Sequence, residues 1–368
     1  MSILIFLVIL LVLVVSHEFG HFIVAKINKI RVDEFSFGFP PKLFGKKFGE
    51  TTYNVNLLPL GGYVKIYGEN PDDESINGPD KDRSFVNKPK YVQAMVLLAG
   101  VVMNFLVAWL LLSVGFMSGL PTSLGSAPAG AIIENQALTI TSVVKNSPAE
   151  KGGIKTGDKI ISFDTNKDST KILSSVLSSS DIQSFVKKHG KEEIKVSLVR
   201  ANEQIETSII PEINTKENIP MIGISMDMIG TLKLPVHKAV FEGLKLSGDI
   251  FVGTLEGFYN LIKSAVVGKA DMSQLTGPVG IVGVVGDAAK FGFIYLLSFT
   301  ALISINLAVI NLIPFPALDG GRLLFLIIEK IKGSRINPKV SNWVNAIGFG
   351  LLMLLMVIIT YHDIIKLL

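Results

Sequence analysis

Two histidines and a glutamate lie within a stretch that is otherwise apolar. His17, Glu18 and His21 follow an unbroken apolar run over 3–15, and apolar residues resume over 22–25. A charged or metal-binding group inside a membrane span costs about 2.5–3.5 kcal/mol on insertion scales, so such groups persist where they have a partner or a function. Residues four apart share one face of a helix, so both imidazoles can reach a single metal ion with Glu18 beside it.

This spacing matches the pattern HExxH, in which the two histidines bind zinc and the glutamate acts as a general base. The other interpretation is a pair of helix-capping or interfacial histidines. The chain contains no cysteine. A disulfide framework and a thiolate metal site are therefore excluded, which leaves His, Asp and Glu as metal ligands.

A second polar interruption lies near the end of another apolar stretch. It runs from Asn311 through Pro314 and Pro316 to Asp319, which is followed by two glycines. Helix breaks at membrane depth are tolerated only where the freed backbone is buried in protein or faces a water-filled cavity. A carboxylate in such a break needs a partner, and the two histidines supply one through a shared metal.

Four apolar segments are long enough to carry these residues across a membrane, which takes about 20 helical residues. The mean hydropathy of +0.48 is too high for an ordinary soluble protein. The net charge of +4 is small and spread over loops, so it gives no indication of nucleic-acid binding. The predicted spans are 1–25, 92–117, 291–313 and 340–361.

Basic residues indicate which loops are cytoplasmic. Lysines and arginines follow the first apolar segment, precede the second, and separate the third from the fourth. The positive-inside bias therefore predicts that both termini and the stretch 118–290 lie outside. The first segment lacks a basic leading region and a small-residue cleavage site, so we interpret it as a retained helix rather than a cleaved signal peptide.

Residues 30–68 alternate between apolar and polar types, as strands do, with a turn predicted at Pro59–Gly62. We expect a membrane-associated β-hairpin whose open edge lies beside the metal-binding helix. An extended peptide could add to that edge as a further strand. A surface hairpin without this role is the alternative. A polar cytoplasmic loop follows over 69–90.

The second apolar segment contains Gly100 and Asn104, a small residue four positions before a polar one. This spacing suits close packing of two helices, with the asparagine donating or accepting a hydrogen bond in the apolar interior. We expect both residues to pack against the metal-binding helix. A direct catalytic role for Asn104 is the alternative.

The composition changes to that of a soluble α+β domain over 129–227. A strand-like run at 138–144 leads into the glycine-rich turn of 147–161, which resembles the signature of bacterial PDZ domains. PDZ domains bind extended peptides by strand addition. A spacer that only obstructs access is the other interpretation. Amphipathic, glycine-interrupted residues at 235–270 predict helices along the outer membrane surface. The run Thr276–Ile281 predicts a helix break before the third apolar segment.

Taken in order, these motifs resemble the site-2 protease family of intramembrane zinc metalloproteases. The resemblance is to its bacterial branch, related to the regulator of sigma-E protease, with a single PDZ domain. It rests on HEFGH, GVVMN, the PDZ-like insertion and NLIPFPALDGG. It implies a polytopic α-helical membrane protein of about four transmembrane helices. The implied organisation is a first part of the membrane peptidase core over 1–128, a PDZ domain over 129–227, juxtamembrane helices over 228–290 and a second part of the core over 291–368.

The resemblance also implies roles for individual residues. One catalytic zinc is held by His17, His21 and Asp319, and a zinc-activated water attacks the peptide bond with Glu18 as general base. Asn311 is the candidate for stabilising the oxyanion, although it could instead cap freed backbone at the helix break. The strand residues expected to contact substrate are Gly62, Tyr63, Val64 and Lys65. The residues expected to support the site structurally are Gly100, Asn104, Pro314 and Gly320.

The implied substrate is a single-pass membrane protein, such as an anti-sigma factor or a remnant signal peptide, cut in regulated intramembrane proteolysis. The other expected partners are membrane lipid and a peptide C-terminus at the PDZ domain, with no nucleic acid. The expected location is the bacterial cytoplasmic membrane, with the PDZ domain outside and the active site near the cytoplasmic side. The alternative class is non-enzymatic: a PDZ-bearing scaffold, or a transporter that binds an ion at a broken helix.

Overall fold

The computed structural model describes residues 1–128, 131–165, 172–173, 178–201, 203–214, 219–268 and 276–367. The helices are α1 Ser2–Ile27, α2 Asp73–Asn77, α3 Lys90–Ser118, α4 Pro148–Lys151, α5 Ser179–Lys188, α6 Val236–Val266, α7 Pro278–Phe291, α8 Phe293–Leu312, α9 Asp319–Lys332 and α10 Pro338–Leu367. The strands are β1 Val32–Phe48, β2 Thr51–Ile66, β3 Leu120–Ser123, β4 Ile133–Val143, β5 Lys159–Thr165, β6 Ile172–Leu173, β7 Ile194–Arg200, β8 Glu203–Ile209, β9 Glu212–Asn214, β10 Ile219–Met221 and β11 Ile224–Leu232.

Four helices are long and apolar enough to cross a membrane: α1, α3, α8 and α10. They coincide with the four segments predicted from hydropathy. Many of their exposed side chains are apolar, as in helices whose surrounding solvent is lipid rather than water. The chain forms two compact units. The first comprises Met1–Val114, Val240–Ala289 and Leu296–Leu368, and the second comprises Gly115–Ala239 and Lys290–Tyr295.

Within the first unit, α1 and α3 approach each other closely through small residues. A Cβ on Gly20 would lie 2.3 Å from the carbonyl oxygen of Ala99. The absence of a side chain at Gly20 therefore lets the two backbones come into direct contact, as is common between membrane helices. This contact brings the α1 face that carries His17 and His21 against α3.

β1 and β2 form a sheet beside α1, which we call the hairpin sheet. Residues 34–37 have Cα partners on both sides, in 52–55 and in 62–65, and these two sets run in opposite directions. The chain therefore reverses within β2 between Leu58 and Gly62, where the sequence predicts a turn. Another reversal, at Gly49, joins β1 to β2. Phe22 of α1 packs on the aromatic face of this sheet, with its ring centroid 5.3 Å from that of Phe35.

α6 packs along two of the spanning helices. Its apolar residues Leu246, Ile250, Phe251 and Phe258 pack against a buried cluster from α3 and α8. The indole N–H of Trp109 donates to the carbonyl of Val240 at 2.8 Å. The sequence predicts a break over 276–281, whereas α7 already begins at Pro278, because proline is tolerated in the first turn of a helix. That these helices lie along the outer membrane surface stays a prediction.

The second unit contains a seven-stranded sheet in the order β3-β11-β4-β5-β7-β8, with β6 paired to β5. Its core packs Phe163, Leu198 and other buried apolar residues of the sheet under α5. Asp158, which is fully buried, accepts from Arg200 Nε and Nη2 at 2.7 and 2.6 Å. The sequence pattern predicts strands over 138–144, 194–199 and 205–210 and a helix over 180–189, and these correspond to β4, β7, β8 and α5. Of the predicted PDZ range, residues 129 and 130 and several residues between 166 and 218 lie outside the described residues.

Candidate metal centre

His17 and His21 face the same side of α1, one turn apart. Their Nε2 atoms lie 3.2 Å from each other, and their rings are perpendicular with centroids 4.8 Å apart. Both side chains are buried, 8% and 7% exposed. The helical spacing that the sequence predicts therefore brings two imidazole nitrogens to one point inside the protein.

Asp319 reaches the same point from the other end of the chain. Its Oδ2 lies 3.0 Å from His17 Nε2 and 3.3 Å from His21 Nε2. It is the first residue of α9, where the helix dipole favours a negative charge. α8 ends at Leu312, and the break that contains Pro314 separates it from α9.

The two glycines after Asp319 set its position. A Cβ on Gly320 would lie 2.3 Å from the carbonyl oxygens of Leu312 and Ile313, and one on Gly321 would lie 2.2 Å from the carbonyl of Phe315. The start of α9 can therefore rest on the end of α8 only because these residues lack side chains. Ala317 takes the left-handed conformation at φ 74°, which completes the tight connection.

α3 supports the histidines from the opposite side. His21 Nδ1 lies 2.8 Å from the carbonyl of Val96, and His17 Nδ1 lies 3.3 Å from Asn104 Nδ2. A Cβ on Gly100 would lie 2.4 Å from His21 Nε2 and 2.6 Å from His17 Cε1. Gly100 and Asn104 are thus in direct contact with the imidazoles, beyond the helix packing that the sequence predicts.

A cavity of about 380 Å³ opens onto this cluster. It is lined by the two histidines, Asp319, Glu18, Asn311 and neighbouring residues from α1, β2, α8 and α9. Glu18 Oε2 accepts the backbone N–H of Val64 at 3.0 Å. The base candidate and the oxyanion candidate therefore share one cavity with the three ligand candidates.

Three of the four predicted substrate-contacting residues lie at this cavity. Tyr63 and Val64 line it, and a Cβ on Gly62 would lie 3.8 Å from Glu18 Cγ. Lys65 does not line it, because its ammonium group lies 3.6 Å from Glu34 on the hairpin sheet. The strand, rather than all four side chains, is what the structure brings to the site.

Sequence reasoning missed two charged residues of the cavity, Glu69 and Arg322. They form an ion pair with each other and both line the cavity wall. Arg322 lies one helical turn after Asp319, so the i, i+3 spacing in α9 was the available signal. Glu69 gave none, because its partner is 253 residues away in the chain.

The donor set fits a catalytic zinc ion. His17, His21 and Asp319 each offer one ligand atom, and these atoms all lie within 4.8 Å of one another. Catalytic zinc takes three protein ligands of these types and leaves a position for water. The space that a Cβ on Gly100 would fill is kept open beside the ligand nitrogens.

Comparison with known proteins agrees with this geometry. The family model described as Peptidase family M50 matches residues 5–355. The chain belongs to this family. It is a zinc metallopeptidase with several membrane-spanning helices, and zinc is its cofactor.

Several curated relatives span nearly the whole chain. One relative is a protein of Clostridium acetobutylicum that is named as a candidate zinc metalloprotease. It is 36% identical over 355 residues, covering 96% of this chain and 94% of the relative. The regulator of sigma-W protease RasP of Bacillus subtilis is 30% identical over 438 residues, covering 98% of each chain. The zinc metalloprotease RasP of Geobacillus kaustophilus is 28% identical over 441 residues, covering 99% of this chain and 98% of the relative.

Proposed function

We propose that His17 and His21, through Nε2, and Asp319, through its carboxylate, hold the catalytic zinc of this peptidase. The observation that carries the proposal is the meeting of three ligand atoms within 4.8 Å from two distant parts of the chain. Zinc, when bound, supplies a Lewis acid and lowers the pKa of a bound water to about 7.

Glu18 is the general base in this proposal. Its carboxylate faces the cavity beside the ligand cluster, and the N–H of Val64 fixes one of its oxygens. It takes the proton of the attacking water and passes it to the leaving amine. Proton transfer by a positioned side chain of this kind contributes roughly 10²–10⁴-fold to the rate.

Asn311 helps to bind the oxyanion that develops on the substrate carbonyl. Its presence in the cavity wall, together with Glu18 and Asp319, supports this role. An amide donor aimed at such an oxygen contributes about 10²–10³-fold in enzymes that use one. Capping of freed backbone at the end of α8 is the alternative role for this residue.

The substrate is a transmembrane segment of a single-pass membrane protein, bound in extended form. The N–H of Val64 points out of the hairpin sheet, because it reaches Glu18 rather than β1. Backbone groups alternate sides along a strand, so Gly62 also presents its N–H and C=O outward. Among the described residues, 62–66 has its registered partner only on the side of β1. An unwound segment can therefore pair with this edge next to Glu18.

The biological role we propose is regulated intramembrane proteolysis in the cytoplasmic membrane of a bacterium. The substrate would be of the anti-sigma-factor or remnant-signal-peptide type. The relative RasP is named as a regulator of sigma-W protease, which supports this class of substrate. Residues 129–227 act as an extracytoplasmic PDZ domain that restricts access by size or binds the substrate's C-terminus.

The test compares the full-length protein with Glu18→Gln and His17→Ala on a model single-pass membrane substrate. Glu18→Gln should lower cleavage by at least about 10²-fold while zinc content stays at the wild-type level, because this substitution removes the base and none of the three ligands. His17→Ala should lose both. Cleavage by Glu18→Gln at the wild-type rate would remove Glu18 from the mechanism. If the wild type neither cleaves the substrate nor binds more zinc than His17→Ala does, the scaffold alternative is favoured.

A further inference from the structure

We propose that Asn104 is a positioning residue whose side-chain carbonyl accepts the Nδ1 proton of His17 and thereby presents His17 Nε2 to the metal. The inference rests on the proposed ligand set. It differs from the packing role that the sequence predicts, because it concerns one atom of the amide and the tautomer of one imidazole.

The two histidines have neighbours of different kinds at Nδ1. His21 Nδ1 faces the carbonyl oxygen of Val96 at 2.8 Å. A carbonyl can only accept, so neutral His21 carries its proton on Nδ1 and has a free lone pair on Nε2. The ligand atom of His21 is therefore fixed by the backbone of α3.

At the corresponding position of His17, the neighbour found among the described residues is a side chain. Its Nδ1 lies 3.3 Å from the amide nitrogen of Asn104, while its Nε2 points to His21 and Asp319. If Nε2 is the ligand atom, neutral His17 carries its proton on Nδ1, which would then face a second donor. A half-turn of the carboxamide exchanges its two ends and makes the contact an N–H···O hydrogen bond.

The amide is free to make this half-turn. Asn104 is fully buried, and within the described part of the chain its Oδ1 has no hydrogen-bond partner to lose. Its backbone is held independently, because the hydroxyl of Ser304 donates to the Asn104 carbonyl at 2.8 Å. The side chain is thus anchored on α3, and the half-turn places its one strong acceptor beside His17.

Acceptors that bind the far nitrogen of a metal-binding histidine fix the orientation of its ring, and their loss commonly costs 10–100-fold in metal affinity. A side-chain substitution cannot remove a backbone carbonyl such as the one that faces His21. Asn104 is therefore the position at which the proton of one ligand imidazole can be left without an acceptor.

The experiment measures zinc affinity of the full-length protein by competition with a chelator, and the visible spectrum of the Co²⁺-substituted form. Asn104→Leu should weaken zinc binding about 10–100-fold and alter the Co²⁺ spectrum. Asn104→Asp should stay within a few-fold of wild type, because its carboxylate still accepts the Nδ1 proton. Ser304→Ala is the matched control, since it removes the hydrogen bond to the Asn104 backbone and leaves the amide in place.

The outcomes separate the two proposals. Wild-type zinc affinity in Asn104→Leu, or equal weakening by Asn104→Asp or Ser304→Ala, would overturn the positioning role and leave a packing role. If His17→Ala itself keeps wild-type zinc affinity, the proposed ligand set fails, and the inference fails with it. Loss in His17→Ala and Asn104→Leu, with retention in Asn104→Asp and Ser304→Ala, is the expected result.

Discussion

The closest constraint on the metal centre comes from a residue without a side chain. Gly100 lies where a methyl group would overlap both imidazoles, at 2.4 Å from His21 Nε2 and 2.7 Å from His17 Nε2. The two imidazole rings cannot easily move away from such a methyl group, because their Nδ1 atoms face Val96 and Asn104. The centre is therefore sensitive to the smallest possible change in α3.

We expect Gly100→Ala to weaken zinc binding by at least about tenfold, similar to the loss of a hydrogen-bond partner that orients a ligand. The control is Val102→Ala in the same helix, because Val102 is 53% exposed and does not face the cluster. The measurement is zinc content after dialysis against graded chelator concentrations. Equal zinc retention by both variants would contradict the proposed placement of the ligand nitrogens.

The sequence predicts those parts of the site that depend on local spacing. His17, Glu18 and His21 could be placed on one face because helical geometry relates residues four apart. Asp319 could be assigned only through the family motif, since its distance from the histidines depends on how α9 rests on α8. The ion pair of Glu69 with Arg322 could not be predicted, because no local pattern relates residues so far apart.

At the scale of elements, the strand 62–66 is the part of the hairpin sheet that can contact an extended substrate. Val64→Pro would remove the outward N–H without changing any ligand candidate. That N–H also holds Glu18, so a change in turnover could arise from either contact. Substrate binding is therefore measured separately from turnover. In the inactive Glu18→Gln background, photo-crosslinking of a substrate segment should fall at least about tenfold when Val64 becomes proline, with zinc content unchanged.

Lys47→Pro provides the matched control for damage to the sheet. Lys47 of β1 pairs with Thr52 of β2 and does not line the cavity. Undiminished crosslinking in Val64→Pro, or equal loss in Lys47→Pro, would argue against strand addition at this edge.

Two ion pairs of the second unit, one buried and one exposed, allow the packing of its elements to be tested. Asp158 is fully buried and pairs with Arg200, whereas Lys151 and Glu212 form a pair with side chains 62% and 59% exposed. Breaking a buried pair costs up to about 3–5 kcal/mol, and less where the remaining charge is partly exposed, as on Arg200 at 24%, while an exposed pair contributes at most about 1 kcal/mol. Asp158→Ala should therefore destabilise this unit far more than Lys151→Ala.

Hydrogen exchange on the full-length protein can measure this difference. Asp158→Ala should accelerate exchange in β5 and β7, which flank the buried pair, while Lys151→Ala leaves it near wild type. Comparable exchange in the two variants would show that the Asp158 pair does not stabilise the sheet. The sequence did predict β4, β5, β7 and β8 but not β3 or β11, and the pairing of Asp158 with Arg200 depends on a sheet order that no local pattern specifies.

At the scale of the whole molecule, the prediction of how the four apolar helices are oriented in the membrane rests on the distribution of basic residues. The loops after α1, before α3 and between α9 and α10 carry lysines and arginines, which predicts that they are cytoplasmic. An odd number of spans separates residue 77 from residue 145, since only α3 lies between them, so these positions should be on opposite sides.

The absence of cysteine from the chain makes this orientation directly measurable. We expect Lys145→Cys to react with a membrane-impermeant maleimide in intact cells, because this exposed residue follows β4 in the segment predicted to be extracytoplasmic. Asn77→Cys and Ser334→Cys, also exposed, should react only after the membrane is permeabilised. The reverse labelling pattern would show that the membrane orientation is opposite to the predicted one, without affecting the proposed zinc site.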